Sequence, residues 1–226
     1  MYKYEPHLHT YPVSRCARVS VRENLEFYKS SGYDGVFITN HFLDGSINID
    51  YNTPYEEKIN FYFSDYENGL EIGKEIGIKV FCGVETTYMG TDFLVYGLKK
   101  EWFLEHPEIM ELEKKIQLSL MKELGAFIVQ AHPFREASYI DHIRLFPQSV
   151  DGVEIINGNC EPKQNDLAKI YAEHYGLIKL AGSDNHRGAN QKVLAGITTQ
   201  EPITSVEDFI RKAETDQIET FATINL

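Results

Sequence analysis

His7-Leu8-His9 is the first place in this chain where residue type and spacing suggest chemistry. Strand side chains alternate with period two, so residues i and i+2 share a face. On a strand the pair would offer two imidazoles to one cation; on a loose terminal segment it would be two surface histidines. Four later stretches bear on the choice. Gly35–His41, Ile78–Glu85, Ala126–His132 and Ile178–Asp184 are apolar runs that each end on a histidine or a carboxylate, and His186 follows the last by two residues. Such runs suit buried parallel strands. In a β/α barrel the C-terminal ends of all strands open on one face, where active sites are built. Histidines scattered through a core would have no reason to sit at equivalent ends of successive strands.

Imidazoles mixed with carboxylates suit zinc, manganese or iron, and with no cysteine cluster a structural zinc site is not indicated. This many ligands of mixed type suggests two or three divalent metal ions rather than one. Glu85, central in the order of the runs, is the natural bridge through its two oxygens. Two ions about 3.5–4 Å apart can activate a water and clamp both sides of a phosphoryl displacement.

The elements that position these residues can be read from the pattern. A first strand spans Tyr2–His9, with Pro6 arguing for an edge or a strand start. Val21, Leu25 and Tyr28 give helical spacing over Val21–Ser31, closed by Gly32. Pro54 opens a helix reaching Glu75, and Pro107 one reaching Leu124. Strands are expected at Phe93–Leu98, Val150–Ile156 and Phe221–Asn225, and helices at Asn165–Tyr175 and Ser205–Ala213. This alternation predicts a parallel sheet, and at least six such units favour a barrel over an open sheet. Residues 1–226 are expected to form a single domain.

Composition narrows the setting. The 42% hydrophobic and 25% charged residues are ordinary for a globular protein,. No stretch approaches the roughly 18 apolar residues of a membrane span, and the start lacks the apolar core of a secretory signal, so a cytoplasmic protein is expected with no membrane partner. Cys16, Cys82 and Cys160 are far apart and read as reduced core or loop thiols,. A net charge of −12 without a basic run disfavours nucleic acid as a partner,. The remaining histidines, His106, His142 and His174, fall in expected helices or loops and are not read as ligands.

His7-Leu8-His9-Thr10, Thr39-Asn40-His41, Gly83-Val84-Glu85, Ala131-His132-Pro133 and Gly182-Ser183-Asp184-Asn185-His186 together resemble the PHP family, named for polymerase and histidinol phosphatase. The resemblance covers nearly the whole chain. It implies a distorted (β/α)7 TIM-like barrel with two or three metals at the C-terminal ends of the strands, in proteins that usually hydrolyse phosphoesters. His7, His9, Glu85 and Asp184 would hold the first ion, Glu85 and His132 the second, and His41 and His186 a third. Where the family commonly has a second-ion histidine after Gly-Val-Glu, this chain has Asp92, which could ligate directly or orient a ligand. Val13-Ser14-Arg15-Cys16-Ala17 lacks the acid the family often carries after the first motif, and Asn40 replaces an aspartate beside His41. Both changes remove negative charge around the third ion, so weak occupancy is expected there.

Arg135, in the loop after His132, could grip two phosphate oxygens at once, or pair with a surface acid. Arg15 could bring positive charge to the site, or be a solvated loop residue. Glu154 could face in or out by register, and Asn157 before Gly158 reads first as a turn residue. The resulting expectation is a metal-dependent phosphoesterase, histidinol-phosphatase-like, hydrolysing a small phosphomonoester by metal-activated water. Arg135 would bind the substrate, and His41 or His186 would protonate the leaving oxygen if no third ion holds them. A nuclease acting on nucleic-acid ends, a C–N hydrolase of the amidohydrolase type and a non-catalytic metal-holding module are the alternatives. Oligomeric state is left open.

Overall fold

The computed structural model describes residues 1–225; Leu226 lies outside them. In chain order the elements are β1 (Tyr2–Leu8), α1 (Val21–Ser30), β2 (Gly35–Ile38), α2 (Tyr55–Ile76), β3 (Lys79–Tyr88), β4 (Thr91–Tyr96), α3 (Lys100–Glu105), α4 (Lys114–Glu123), β5 (Phe127–Ala131), β6 (Gly152–Asn157), α5 (Pro162–Tyr175), β7 (Ile178–Gly182), β8 (Val193–Thr199), α6 (Val206–Glu214) and β9 (Glu219–Ile224). Among the described residues they form one sheet of nine strands, ordered β7-β6-β5-β4-β3-β2-β1-β8-β9. The sheet curls into a nearly closed barrel. Its seam is a bridge between Leu8 and Asn185, where the His9 N–H donates to Asn185 O at 3.1 Å. No helix among the described residues is long and apolar enough to cross a membrane.

The barrel class matches the sequence reading, but the strands are not all parallel and are more numerous than seven. β1, β2 and β3 run parallel, as do β5, β6 and β7, whereas β4 is antiparallel to both β3 and β5. Only Met89 and Gly90 join β3 to β4, at φ +50° and +80°. Two left-handed residues make a tight hairpin, whereas a parallel crossover needs a dozen or more. β8, antiparallel to β1, is absent from the expected elements. Ala195-Gly196 at its middle gives little strand propensity, and the pairing with β1 and β9 supplies what propensity does not,.

Two local expectations also change. β1 is central, lying between β2 and β8, and not an edge. Pro6 is tolerated because β8 pairs only with Tyr2–Tyr4 and the β2 register shifts between Glu5 and Leu8, so no ladder donor is needed there,. The expected helix from Pro107 to Leu124 is broken: a 3₁₀ turn covers Pro107–Glu111, Leu112 and Glu113 are extended, and α4 starts at Lys114. The break lets buried Lys114 donate to Asp44 Oδ2 at 2.8 Å and Thr86 Oγ1 at 2.7 Å, beside Glu85.

An apolar plug supports the ligand face from below. Tyr4, Phe37, Phe81, Tyr96, Phe127 and Val129 pack inside the barrel with Phe209 of α6. The Phe209 ring centroid lies 4.6 Å from that of Phe37 and 5.0 Å from that of Tyr96. Alternation along β3 then turns Phe81, Gly83 and Glu85 to the same inner face, so one strand carries both floor and ligand. Outside, α1 begins on a reciprocal Ser20/Glu23 capping box and buries Val21, Leu25 and Tyr28 against the sheet,.

Candidate metal centre

His7, His9, Glu85, His132 and Asp184 converge at the open end of this barrel, all buried. His7 Nε2 and His9 Nε2 lie 3.1 Å apart. Glu85 Oε1 is 3.2 Å from His7 Nε2 and 3.6 Å from His132 Nε2; its Oε2 is 3.3 Å from His9 Nε2 and 2.6 Å from His41 Nδ1. Asp184 Oδ1 is 3.5 Å from His7 Nε2 and 3.3 Å from His9 Nε2. Three overlapping groups of donor atoms each fall within 4.8 Å: His7, His9 and Asp184; His7, Glu85 and His132; His9, His41 and His186.

Neighbouring groups fix which ring nitrogens face inward. Glu154 Oε1 accepts from His7 Nδ1 at 2.9 Å, and its other oxygen accepts from the His132 N–H at 3.1 Å and Asn157 Nδ2 at 2.9 Å. Ser14 Oγ donates its single proton to Asn40 Oδ1 at 2.8 Å, so its oxygen accepts from His9 Nδ1 at 3.2 Å and from the His41 N–H at 3.1 Å. The Asp184 carbonyl accepts from His186 Nδ1 at 2.9 Å. His7, His9 and His186 are thereby left with Nε2 lone pairs. Two lone pairs facing each other at 3.1 Å repel unless a cation or a proton lies between them. Both Glu85 oxygens and His41 Nδ1 are buried without a hydrogen-bond partner, the 2.6 Å approach between Glu85 Oε2 and His41 being out of line. Buried carboxylate oxygens without donors are costly, and a cation resolves the cost. The donor set therefore fits divalent metal ions.

No family model matches the sequence, and no curated protein does. Solved structures do. A two-domain protein from Bacteroides vulgatus, described as containing a predicted PHP-like metal-dependent phosphoesterase, superposes with a TM-score of 0.72 at 15% identity over 97% of this chain. This chain has the PHP-like fold. It spans 64% of the length of that two-domain protein. A protein from Bifidobacterium adolescentis assigned as a metal-dependent phosphoesterase matches with a TM-score of 0.56 at 14% identity, over 96% of each chain. An amidohydrolase from Chromobacterium violaceum, with bound sulfate and no metal, matches with a TM-score of 0.55 at 12% identity, over 96% of this chain and 97% of that one.

Within the PHP-like barrel, the reversal of β4 decides where Asp92 goes. Because β4 runs against its neighbours, its first residues lie beside the ends of β3 and β5, and Asp92 pairs with Thr87 and Ala131. Asp92 Oδ2 is 3.7 Å from His132 Nε2. Burial and the nearby Glu85 charge push its carboxyl up from the usual range. His132 and Asp184 hold left-handed φ values of +27° and +51°. Such strain costs about 1–3 kcal/mol per residue and persists where the surroundings impose it.

Electrostatics set the charge that each of these groups carries. Burial works against charge on Glu85 and Asp184, yet the surrounding imidazoles hold both carboxyls well below the usual range. Burial, aided by His186 and His41, holds His9 well below its ordinary value and therefore neutral. His7 goes the other way: burial lowers it, but the Glu154, Asp184 and Glu85 charges outweigh burial and raise it well above its ordinary value. Without metal, a proton on His7 balances part of the carboxylate charge.

Arg135 and Arg15 part company. Arg135 Nη1 is 3.5 Å from Asp184 Oδ2, with the side chain 31% exposed. Arg15 is exposed on its loop with no side-chain hydrogen bond or ion pair among the described residues, so it is not brought to the site. Arg18, Arg187 and Lys192 line instead, with Arg135, Cys16 and His186, a cavity of about 530 Å³. A larger cavity of about 830 Å³ lies among Leu70, Val80, Leu98 and Val206, away from every donor group. The smaller one adjoins the donor groups through His186 and Arg135.

Several working residues escape a reading by motif. Glu5, buried in β1, accepts from the His7 N–H and the Ser183 N–H at 2.9 Å each and from Tyr28 OH at 2.8 Å, tying β1 to the end of β7. Burial pushes its carboxyl up to about 7 against these donors. Asn40 accepts from the Thr10 N–H at 2.7 Å and donates to Thr10 Oγ1 at 2.8 Å, while Thr10 Oγ1 donates to Asp65 at 2.6 Å. An aspartate at position 40 could not make that donation. Cys16 lies beside His186 and His41; desolvation opposes its ionisation, but the two imidazoles bring the thiol down to about 6. Glu154 and Asn157, undecided from sequence, both face inward, and Asn157 Oδ1 also accepts from the Asn159 N–H at 2.9 Å as a turn residue does. Gly182 is required by space: a Cβ there would stand 2.5 Å from His7 Cβ and 2.7 Å from Glu154 Oε1.

Glu154→Ala is expected to weaken metal affinity about 10- to 100-fold, the scale found when an outer partner of a ligating histidine is lost. It strips His7 Nδ1 of its acceptor and frees the ring to turn. Isothermal titration of metal into the stripped variant checks this, and unchanged affinity would remove Glu154 from the ligand support.

Proposed function

We propose that this chain is a metal-dependent phosphoesterase that hydrolyses a small phosphomonoester. The observation that carries the reading is the meeting of four imidazoles on a buried, unpartnered Glu85 carboxylate beside a cavity lined by arginines. His7, His9, Glu85 and Asp184 would hold one ion, and Glu85, His132 and Asp92 a second, with Glu85 shared. Zinc, manganese or iron suits the donors. When bound, such ions supply Lewis acidity that activates water and offsets phosphoryl charge.

The chain's own residues do the rest. Arg135 spends one nitrogen on Asp184 and keeps other N–H groups for phosphoryl oxygens, fixing the ester against the ligand face,. Arg18, Arg187 and Lys192 attract the anion to an otherwise acidic protein,. Glu154, Ser14 and the Asp184 carbonyl hold three imidazoles in the tautomer that presents Nε2. His41 and His186, both raised by neighbouring acids, put imidazolium charge near the cavity, where a departing alkoxide oxygen would need it,. The net charge of −12 argues against a long polyanion as substrate.

Phosphatase activity on a panel of phosphomonoesters is expected to vanish on chelation and to return with Zn²⁺ or Mn²⁺. Activity indifferent to chelators would overturn the reading. Because one protein of the same fold is named an amidohydrolase, the panel includes amides; turnover of amides alone would favour C–N hydrolysis. Arg135→Ala is expected to lower kcat/KM about 10- to 100-fold, the weight of one or two charge-assisted hydrogen bonds, with metal content unchanged by elemental analysis.

A further inference from the structure

The cavity of about 530 Å³ beside His186 is more basic than one phosphoryl group requires. Arg18, Arg135, Arg187 and Lys192 line it, against a single carboxylate, Glu161. That carboxylate is already in use, because it caps α5 by accepting from the Gln164 N–H. Elsewhere on the surface cations are matched with acids: Arg22 with Glu75, Lys74 with Glu71, Lys100 with Glu67 and Lys179 with Glu173, at 2.7–2.9 Å. Arg18, Arg187 and Lys192 make no ion pair and no side-chain hydrogen bond among the described residues. In a chain of net charge −12, acids to pair with them are plentiful. Three unmatched cations on one cavity wall therefore call for an anion from outside the chain.

The backbones that carry these cations are fixed to one another and to the metal centre. The Arg18 N–H donates to His186 O at 3.0 Å, and the Arg187 N–H donates to Asn185 Oδ1 at 2.8 Å. Gly188 packs so closely on the Arg18 loop that a Cβ there would stand 3.0 Å from both Val19 methyls. Buried Gln191 donates from Nε2 to Ser183 O at 3.1 Å and to Asn159 Oδ1 at 3.0 Å, which sets Lys192 beside the end of β7. The inner end of the cavity belongs to Arg135, whose Nη1 is 3.5 Å from Asp184 Oδ2. Arg18, Arg187 and Lys192 are all exposed, so their charges stand on the solvent side of His186, beyond the group that the metal donors and Arg135 would hold. Steering an anion from a distance needs no shared cavity; recognition does.

We propose that Arg18, Arg187 and Lys192 form a second anion subsite, and that the substrate is a small molecule carrying, besides the phosphomonoester to be cleaved, a second anionic group, either a carboxylate or another phosphate. The proposal rests on the phosphoesterase reading above and narrows its substrate class. Guanidinium groups take both kinds of anion through paired N–H donors. The second group lies away from the bond that breaks, so it binds equally in the ground state and the transition state and acts on KM rather than kcat.

Steady-state hydrolysis of three matched series tests this: alkyl phosphates of graded chain length that end in a hydroxyl, a carboxylate or a second phosphate. In at least one of the doubly anionic series kcat/KM is expected to exceed that of the hydroxyl partner about 10- to 100-fold, the weight of one or two charge-assisted hydrogen bonds. The gain should lie in KM and should remain after allowance for the two equivalent ends of a bisphosphate. The series that shows it identifies the second group. Arg187→Ala and Lys192→Ala, both at exposed positions where the fold is not at stake, should each cut the ratio within a pair about tenfold, whatever they do to the absolute rates,. Lys179→Ala, which removes the same charge from a remote surface pair, should leave the ratio unchanged. Equal kcat/KM within every pair, or a preference that survives in both cavity variants, overturns the subsite and leaves the phosphoesterase reading standing. If no member of any series is turned over, that reading fails and the subsite with it.

Discussion

Glu85→Gln is expected to abolish phosphomonoester turnover and to strip the centre of metal. The substitution keeps the volume and the position on β3 but removes the charge and turns one acceptor into a donor. Glu85 Oε1 faces His7 and His132, and Oε2 faces His9 and His41. Whichever way the amide turns, its NH₂ group is set against two imidazoles, and no single-oxygen ligand can serve both groups of donors that its carboxylate joins. The loss in kcat/KM should be at least about a hundredfold, since even outer partners of a ligand are worth 10–100-fold. The fold should survive, because the Glu85 carboxylate makes no hydrogen bond and the backbone bonds of this residue to Asn40 and Phe42 are kept. Elemental analysis, circular dichroism and steady-state kinetics together check this; a variant with full metal content and activity within a few-fold of the parent would remove Glu85 from the centre.

Metal removal should lower thermal stability as well as activity. An ion bound at a hundred times its Kd stabilises the folded chain by about 2.7 kcal/mol. For a chain of this size each kcal/mol moves Tm by about 2–4 °C, so stripping one ion should cost about 5–10 °C. The pH dependence has a definite sign. In the stripped protein His7 is raised above its ordinary value, so its contribution to stability is complete at low pH and is lost as pH rises through the folded value. Glu85 and Asp184 are depressed, and their contribution is lost only as pH falls below the ordinary carboxylate range. Metal must displace the His7 proton, so the gap between loaded and stripped Tm should widen between about pH 6 and about pH 8. Melting curves with and without chelator read this directly, and a gap that narrows over the interval would contradict the role given to His7.

The convergence of the candidate donors was legible because strand ends in an alternating β/α chain are equivalent positions. Each of His9, His41, Glu85, His132 and Asp184 follows an apolar run, and chain order alone places such ends on one face,. Neighbours in space but not in sequence were not legible. Glu154 is 147 residues from His7, and only the register of β6 against β5 and β7 turns it inward to hold the His7 ring. The inward turn of His132 depends on a left-handed φ that nothing in Ala131-His132-Pro133 announces.

By itself, then, the sequence determined the donor types, the strand ends that carry them and the barrel class, all of which follow from local periodicity and apolar runs. The tertiary structure decided the strand directions, the tautomers and the reach of each side chain. The Met89-Gly90 hairpin reverses β4 and so brings Asp92 toward His132, and Ser14, Asn40 and Asp65 set the His9 ring. Those outcomes depend on contacts between residues far apart in the chain, made definite only when the sheet closes on itself.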